Sequence, residues 1–142
     1  DAVAIRRAID TGAVVLLSPF GFSPTGEAFN LQMEDVATST AIALQADKLL
    51  FLTELPGVRE RREDPDSPID TELALADAER LLAALPAPQG PTDIAFYLRH
   101  CVNACREGVE RSHILPFCVN DTPPTESYTL LYTLSRHVAL PR

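Results

Sequence analysis

The stretch GEAFNLQMEDVATSTAIALQADKLLFLTELPGV, residues 26–58, decides the fold. It opens on a turn-forming glycine, runs through a helix into an apolar strand, and closes on a Pro-Gly turn. Over about residues 31–45, Val36, Thr40, Ala41 and Leu44 share one helical face. Glu34 and Asp35 suit the first turn, where carboxylates meet the positive end of the helix dipole. Asn30 reads either as the N-cap or as a first-turn residue sharing a face with Glu34. KLLFLTEL, 48–55, is then a continuous apolar run of the kind a strand buried on both faces requires.

On the N-terminal side, Val3, Ala4, Ile5, Ala8 and Ile9 make a helical stripe over 2–9 that ends near Gly12. AVVLLS, 13–18, predicts another buried strand, and PFGFSPTGEAF, 19–29, a loop or short hairpin. Two such strands joined through a helix imply a right-handed βαβ unit. On the C-terminal side, 56–70 reads as a polar loop. Asp70 or Thr71 starts a helix to Leu85, with Leu75, Ala78, Leu82 and Leu85 on one face. PAPQGP, 86–91, is a stiff linker too short to separate domains. Thr92 or Asp93 caps the next helix, whose stripe is Ile94, Leu98, Cys101, Val102 and Cys105, with Gly108 as its C′ stop. HILPFCV, 113–119, predicts a third strand, NDTPPTES a loop, and 128–140 a last helix or an irregular tail. This order predicts an α/β fold with a mostly parallel sheet flanked by helices. Ligands in such sheets bind beyond the carboxyl ends of the strands, which puts Ser18–Glu27 and Thr53–Val58 at one rim.

The bulk numbers agree. With 142 residues, 46% of them hydrophobic, the chain suffices for one globular domain with a core. A net charge of -8, and arginines that form no stripe, argue against nucleic acid or an anionic membrane as partner. No apolar run approaches the roughly 18 residues of a membrane span, and the opening DAVAIRRAID has no signal-peptide core. The chain does not begin with Met and reads as a piece of something longer. Three cysteines without framework spacing suggest a reducing cytoplasm.

Few residues carry chemistry on their own pattern. Gly21 and Gly26 bracket Ser23 and Thr25 ahead of a helix, and backbone N–H groups at a helix start attract anions. The spacing is neither GxGxxG nor GxxxxGK[ST], so a phosphate loop and an ordinary turn both remain open. Cys101 and Cys105 stand one helical turn apart, with His100 and His113 as further metal-ligand types. Both cysteines fall on the apolar stripe and His100 falls off it, so no metal is expected. GxSxG is absent and no catalytic residue is assigned. The R-x-x-G-x-G/A loop by which many acetyltransferases hold coenzyme A is absent too.

Residues 14–58 together with YLRHCVNACREGVERSHILPF, 97–117, resemble the amino-acid-kinase-like domain of bacterial N-acetylglutamate synthases. These are the amino-acid N-acetyltransferases that open arginine biosynthesis. GE-x-FNL, ADKL and ACR-x-GV-x-RSH carry the resemblance as a set. It implies a partial kinase-like domain over 1–117 and a poorly matching tail over 118–142. Acetylglutamate kinases have N-x-N-A-D where this chain has Asn30, Leu31, Gln32, Met33 and Glu34. Their LTD-x-x-GV corresponds to Leu52, Thr53 and Glu54 through Val58, again with Glu for Asp. A longer carboxylate at both places misplaces a phosphoryl-transfer metal by about a C–C bond, enough to spoil alignment. The resemblance therefore implies a vestigial nucleotide-site rim of Gly21, Ser23, Gly26, Asn30, Glu34, Thr53 and Glu54. It implies no cofactor here and acetyl-CoA for the parent enzyme. It also implies L-arginine as a feedback effector through His113, a homo-oligomeric parent and a cytoplasmic location. Leu130 and Leu131 match the leucines of the family's L-L-x-E-L-F, with Thr133 in place of its glutamate. A kinase fragment and a stand-alone α/β assembly module are the alternatives.

Overall fold

The computed structural model describes residues 1–55, 58, 72–87, 90, 93–116 and 132–135. Asp1 caps helix α1 (Ala2–Asp10), its carboxylate accepting from the N–H groups of Val3 and Ala4 at 3.0 and 3.3 Å. The helix stops at Gly12, whose φ of +81° suits glycine.

AVVLLS does not form the expected buried strand. Residues 13–18 pair with no strand among the described residues, and Val14 and Leu16 are 89% and 92% exposed. Apolar, β-branched composition supplies a surface to bury, whereas a strand is made by a neighbour that satisfies its N–H and C=O groups.

The next segment is a hairpin of β1 (Phe20–Phe22) and β2 (Ala28–Asn30), paired antiparallel. Ser23 N–H donates to the Glu27 carbonyl and Gly26 N–H to the Ser23 carbonyl, each at 2.9 Å. Gly26, at φ +87°, closes a three-residue Pro-Thr-Gly loop in the left-handed conformation such hairpins use.

Helix α2 (Met33–Leu44) begins after Gln32, which caps it by backbone conformation alone. Asn30 is thus neither the N-cap nor in the first turn. It ends β2, opposite Phe20, because the hairpin ladder claims its backbone first. At the other end Gln45 takes φ +52°, and the N–H groups of Gln45 and Ala46 return to the carbonyls of Ile42 and Ala41 at 3.0 and 2.9 Å. This pair of bonds is the Schellman pattern. Arg6 of α1 donates to the Leu44 carbonyl at 2.6 Å and so tethers α1 to the same helix end.

The sheet contains β3 (Lys48–Thr53), β4 (Glu72–Ala74), β5 (Arg111–Pro116) and β6 (Tyr132–Ser135) in the order β3-β5-β6-β4. The β3–β5 and β4–β6 pairs are parallel and the β5–β6 pair is antiparallel. β6 lies inside the segment expected as a helix or irregular tail. A strand of 4 residues is too short for its period to register in sequence. The remaining residues of 117–142 lie outside the described residues, as do Asp70, Thr71, Thr92 and most of the 56–70 loop.

Helices α3 (Leu75–Ala84) and α4 (Ile94–Arg106) complete the fold. Asp93 caps α4, accepting from Ala95 N–H at 3.0 Å. α4 packs between α2 and α3 and against β3 and β5, so the three helices form one layer on one sheet face. The core lies there, with Leu49, Phe51, Phe96, Leu98, Cys101, Val102, Cys105, Val109 and Ile114 buried. On the opposite face Leu50 and Leu52 are 50% and 61% exposed.

α4 ends in a second Schellman motif. Gly108 N–H returns to Cys105 and Val109 N–H to Ala104, at 3.3 and 3.0 Å. Val109 is fully buried and Gly108 has φ +116°.

Candidate functional site

Two carboxylates and a phenol come to one rim from three chain segments. α2 starts there with Glu34, β3 ends there with Thr53 and Glu54, and the first turn of α4 adds Tyr97. Burial pushes the Tyr97 phenol above its ordinary value, and the nearby carboxylates of Glu34 and then Glu54 push it the same way. Glu34 is buried, near the favourable end of the α2 dipole, whereas Glu54 is exposed. Thr53 is buried as well and spends its hydroxyl on the chain turn: Leu55 N–H donates to its Oγ1 at 3.1 Å. Val58, just beyond, is in the core.

The other expected rim residues are not brought to this place. Gly21, Ser23, Gly26 and Asn30 all lie in the hairpin, against which no other helix or strand among the described residues packs. Ser23 Oγ accepts from Glu27 N–H at 3.0 Å and meets Thr25 Oγ1 at 2.8 Å, so its hydroxyl is committed to the turn. A Cβ on Gly21 would meet Leu31 Cδ1 at 3.0 Å, which makes this glycine a close-packing position. The glycine pair thus shapes a hairpin and does not lead directly into a helix N-terminus.

Behind the rim, His100 was expected off the apolar face of α4, yet it is only 5% exposed. α4 is enclosed by the sheet and by helices on both flanks, so a stripe of five apolar positions understates its buried surface. The ring packs edge-on to Phe96, with centroids 4.8 Å apart, and near Phe51. Nδ1 lies 3.3 Å from Thr38 Oγ1 and 3.8 Å from Asp35 Oδ1. Burial lowers the His100 pKa against the opposing pull of Asp35, and the Arg99 charge lowers it further.

Cys101 and Cys105 face inward. Cys105 Sγ lies 3.3 Å from Ser112 Oγ, and burial pushes the Cys101 thiol far up. Among the described residues no three His, Cys, Asp or Glu side chains converge. His113 sits mid-strand in β5, buried, across from Leu50 on one side and Thr133 on the other. No helix among the described residues is long and apolar enough to cross a membrane.

With this geometry, residues 1–116 match the amino acid kinase family. The chain belongs to that family. It is 48% identical over 120 residues to an amino-acid acetyltransferase of Ralstonia nicotianae, a match covering 84% of this chain and 25% of the relative. It superimposes on N-acetylglutamate synthase from Neisseria gonorrhoeae, complexed with coenzyme A and L-arginine, with a TM-score of 0.75 and 27% identity. That match covers 96% of this chain and 31% of the other. Carbamate kinase from Giardia lamblia bound to AMP-PNP shares the fold, with a TM-score of 0.66 and 17% identity over 81% of this chain and 42% of the other. The chain spans about a quarter of the length of the curated relatives it matches.

Proposed function

We propose that this chain is a non-catalytic, kinase-like part of an amino-acid N-acetyltransferase that converts acetyl-CoA and L-glutamate to N-acetyl-L-glutamate and CoA. The observation that carries this is the 48% identity to an amino-acid acetyltransferase across 84% of the chain. The glutamates support it chemically. Glu34 and Glu54 both lie near Tyr97, at positions where the resemblance to kinases of this fold calls for shorter, metal-placing carboxylates. In this reading residues 1–117 belong to the kinase-like domain and 118–142 continue it in diverged form. The rim residues Glu34, Thr53 and Glu54, together with the hairpin residues Gly21, Ser23, Gly26 and Asn30, are then vestiges of a nucleotide site. The parent enzyme uses acetyl-CoA, works in the cytoplasm as a homo-oligomer and serves arginine biosynthesis. L-arginine acts on it through the region of His113, as suggested by the arginine held in the Neisseria gonorrhoeae enzyme.

The test is an assay of the full-length protein with acetyl-CoA and L-glutamate, run beside one with ATP and N-acetyl-L-glutamate. Acetyl transfer without phosphorylation is the expected result. ATP-dependent phosphorylation would replace the reading with a kinase, and inactivity in both with an assembly module.

A further inference from the structure

A cavity of about 330 Å³ opens between α2, α3 and α4, walled by Asp35, Leu82, Arg99, His100, Asn103 and Arg106 among others. Nothing in the rim or in the proposed activity uses it. Positions 99, 103 and 106 follow helical spacing, so one face of α4 presents two guanidiniums with an amide between them.

The two arginines are held differently. Arg106 donates from Nε and Nη2 to a single oxygen, Glu79 Oε1, at 3.1 and 2.7 Å. That contact fixes its plane and leaves its other N–H donors for a ligand. Arg99 has no carboxylate partner among the described residues, and its guanidinium lies 5.5 Å from the centre of the Phe96 ring. A guanidinium braced on an aromatic ring is restrained while its N–H fork stays available.

A second observation is independent of charge. His100 lines the same wall and is itself buried, and its Nε2, beneath the surface, has no hydrogen-bond partner among the described residues. An unpaired buried nitrogen behind a polar cavity is the kind of atom an ordered water satisfies. Asp35, mostly exposed, is the one acidic side chain of the wall and stands at the Nδ1 edge of His100. It confines an anionic group to the Arg99–Asn103–Arg106 side.

We propose that this cavity binds the oxyanion group of a small molecule, a carboxylate or a phosphate, by a fork of hydrogen bonds from Arg99 and Arg106 with Asn103 between them. The site is separate from the glutamate rim and does not depend on the acetyltransferase reading. Planar, charge-assisted donors of this kind suit both anions.

The test is calorimetry of the full-length protein with inorganic phosphate and, separately, with succinate, at ionic strength held constant with chloride. Saturable binding of at least one anion is expected, weakened tenfold or more in Arg99→Gln. Binding of phosphate alone or of succinate alone identifies which anion the site prefers. Asn103→Asp, at an exposed position, places a carboxylate among the donors and is expected to weaken binding as much, which decides the matter if Arg99→Gln does not fold. Absence of saturable heat with both anions, or unchanged affinity in the folded variants, overturns the proposal.

Discussion

The carboxylate of Asp35 stands 3.8 Å from Nδ1 of His100, yet the histidine is held below its ordinary pKa because burial outweighs that attraction. The consequence for stability has a definite sign. The unfolded chain takes up this proton near pH 6.5. The folded chain resists it to lower pH. Unfolding is therefore favoured as pH falls, and stability rises with pH through that window. We expect the thermal midpoint to fall between pH 7.5 and 5.5, and the fall to be shallower in His100→Gln. Equal slopes in the two proteins would remove His100 as the cause.

Glu34 offers a sharper chemical test. If the rim has lost phosphoryl-transfer geometry at two places, restoring one carboxylate length does not restore the site. Glu34→Asp is expected to bind ATP no better than the unmodified chain in a calorimetric titration. Tight ATP binding by the unmodified chain would sink the vestigial reading.

The turn after α4 allows a stability prediction that does not depend on function. A Cβ on Gly108 would meet only the amide end of Gln45, at 3.6 Å or more, so space is available. The conformation is the obstacle, since φ +116° strains any side chain. Gly108→Ala is expected to cost about 1–2 kcal/mol and to lower Tm by several degrees in a scanning fluorescence or calorimetric melt. A neutral result would mean that this turn adopts another backbone conformation.

What was legible in the sequence follows physical lines. The α4 stripe, its Asp93 cap and its Gly108 stop were readable because a helix writes its period and its ends into a single local segment. KLLFLTEL was readable as a strand, but not as one buried on a single face with Leu50 and Leu52 exposed, because its unbroken apolar run hides the alternation. Asn30 was misread because its fate depends on the hairpin behind it and not on the helix ahead. His100 was misplaced because burial from the flanks of α4 comes from distant helices. Gln45 gave no signal, since a non-glycine in the left-handed region is chosen by the fold and not by propensity. For the candidate site, the rule of strand carboxyl ends named Thr53–Val58 as rim, and Glu34 entered through the family resemblance; Tyr97 lies near Glu34 and Glu54. The glycine loop left phosphate loop and turn both open, because turn residues look alike whether they close a hairpin, as Gly26 does here, or cradle an anion.

The described residues leave a set of apolar side chains bare. Val14 and Leu16 are almost fully exposed, and Leu50 and Leu52 are at least half exposed on the helix-free sheet face. Among the described residues β3 is also an edge strand, with one row of backbone groups facing away from β5. Apolar surface of this kind beside an unpaired edge favours association. We expect residues 1–142 expressed alone to sediment as oligomers or aggregates whose mass rises with concentration. Backbone amides of 13–18 should exchange quickly in dilute samples, while those of β3 facing β5 stay protected. Substituting Leu16 and Leu52 by Ser should shift the population toward monomer while leaving the helical circular-dichroism signal in place, since neither side chain is in the core. A compact monomer at all concentrations, with 13–18 protected, would mean that this segment already has a strand partner and that the bare face is covered from within the chain.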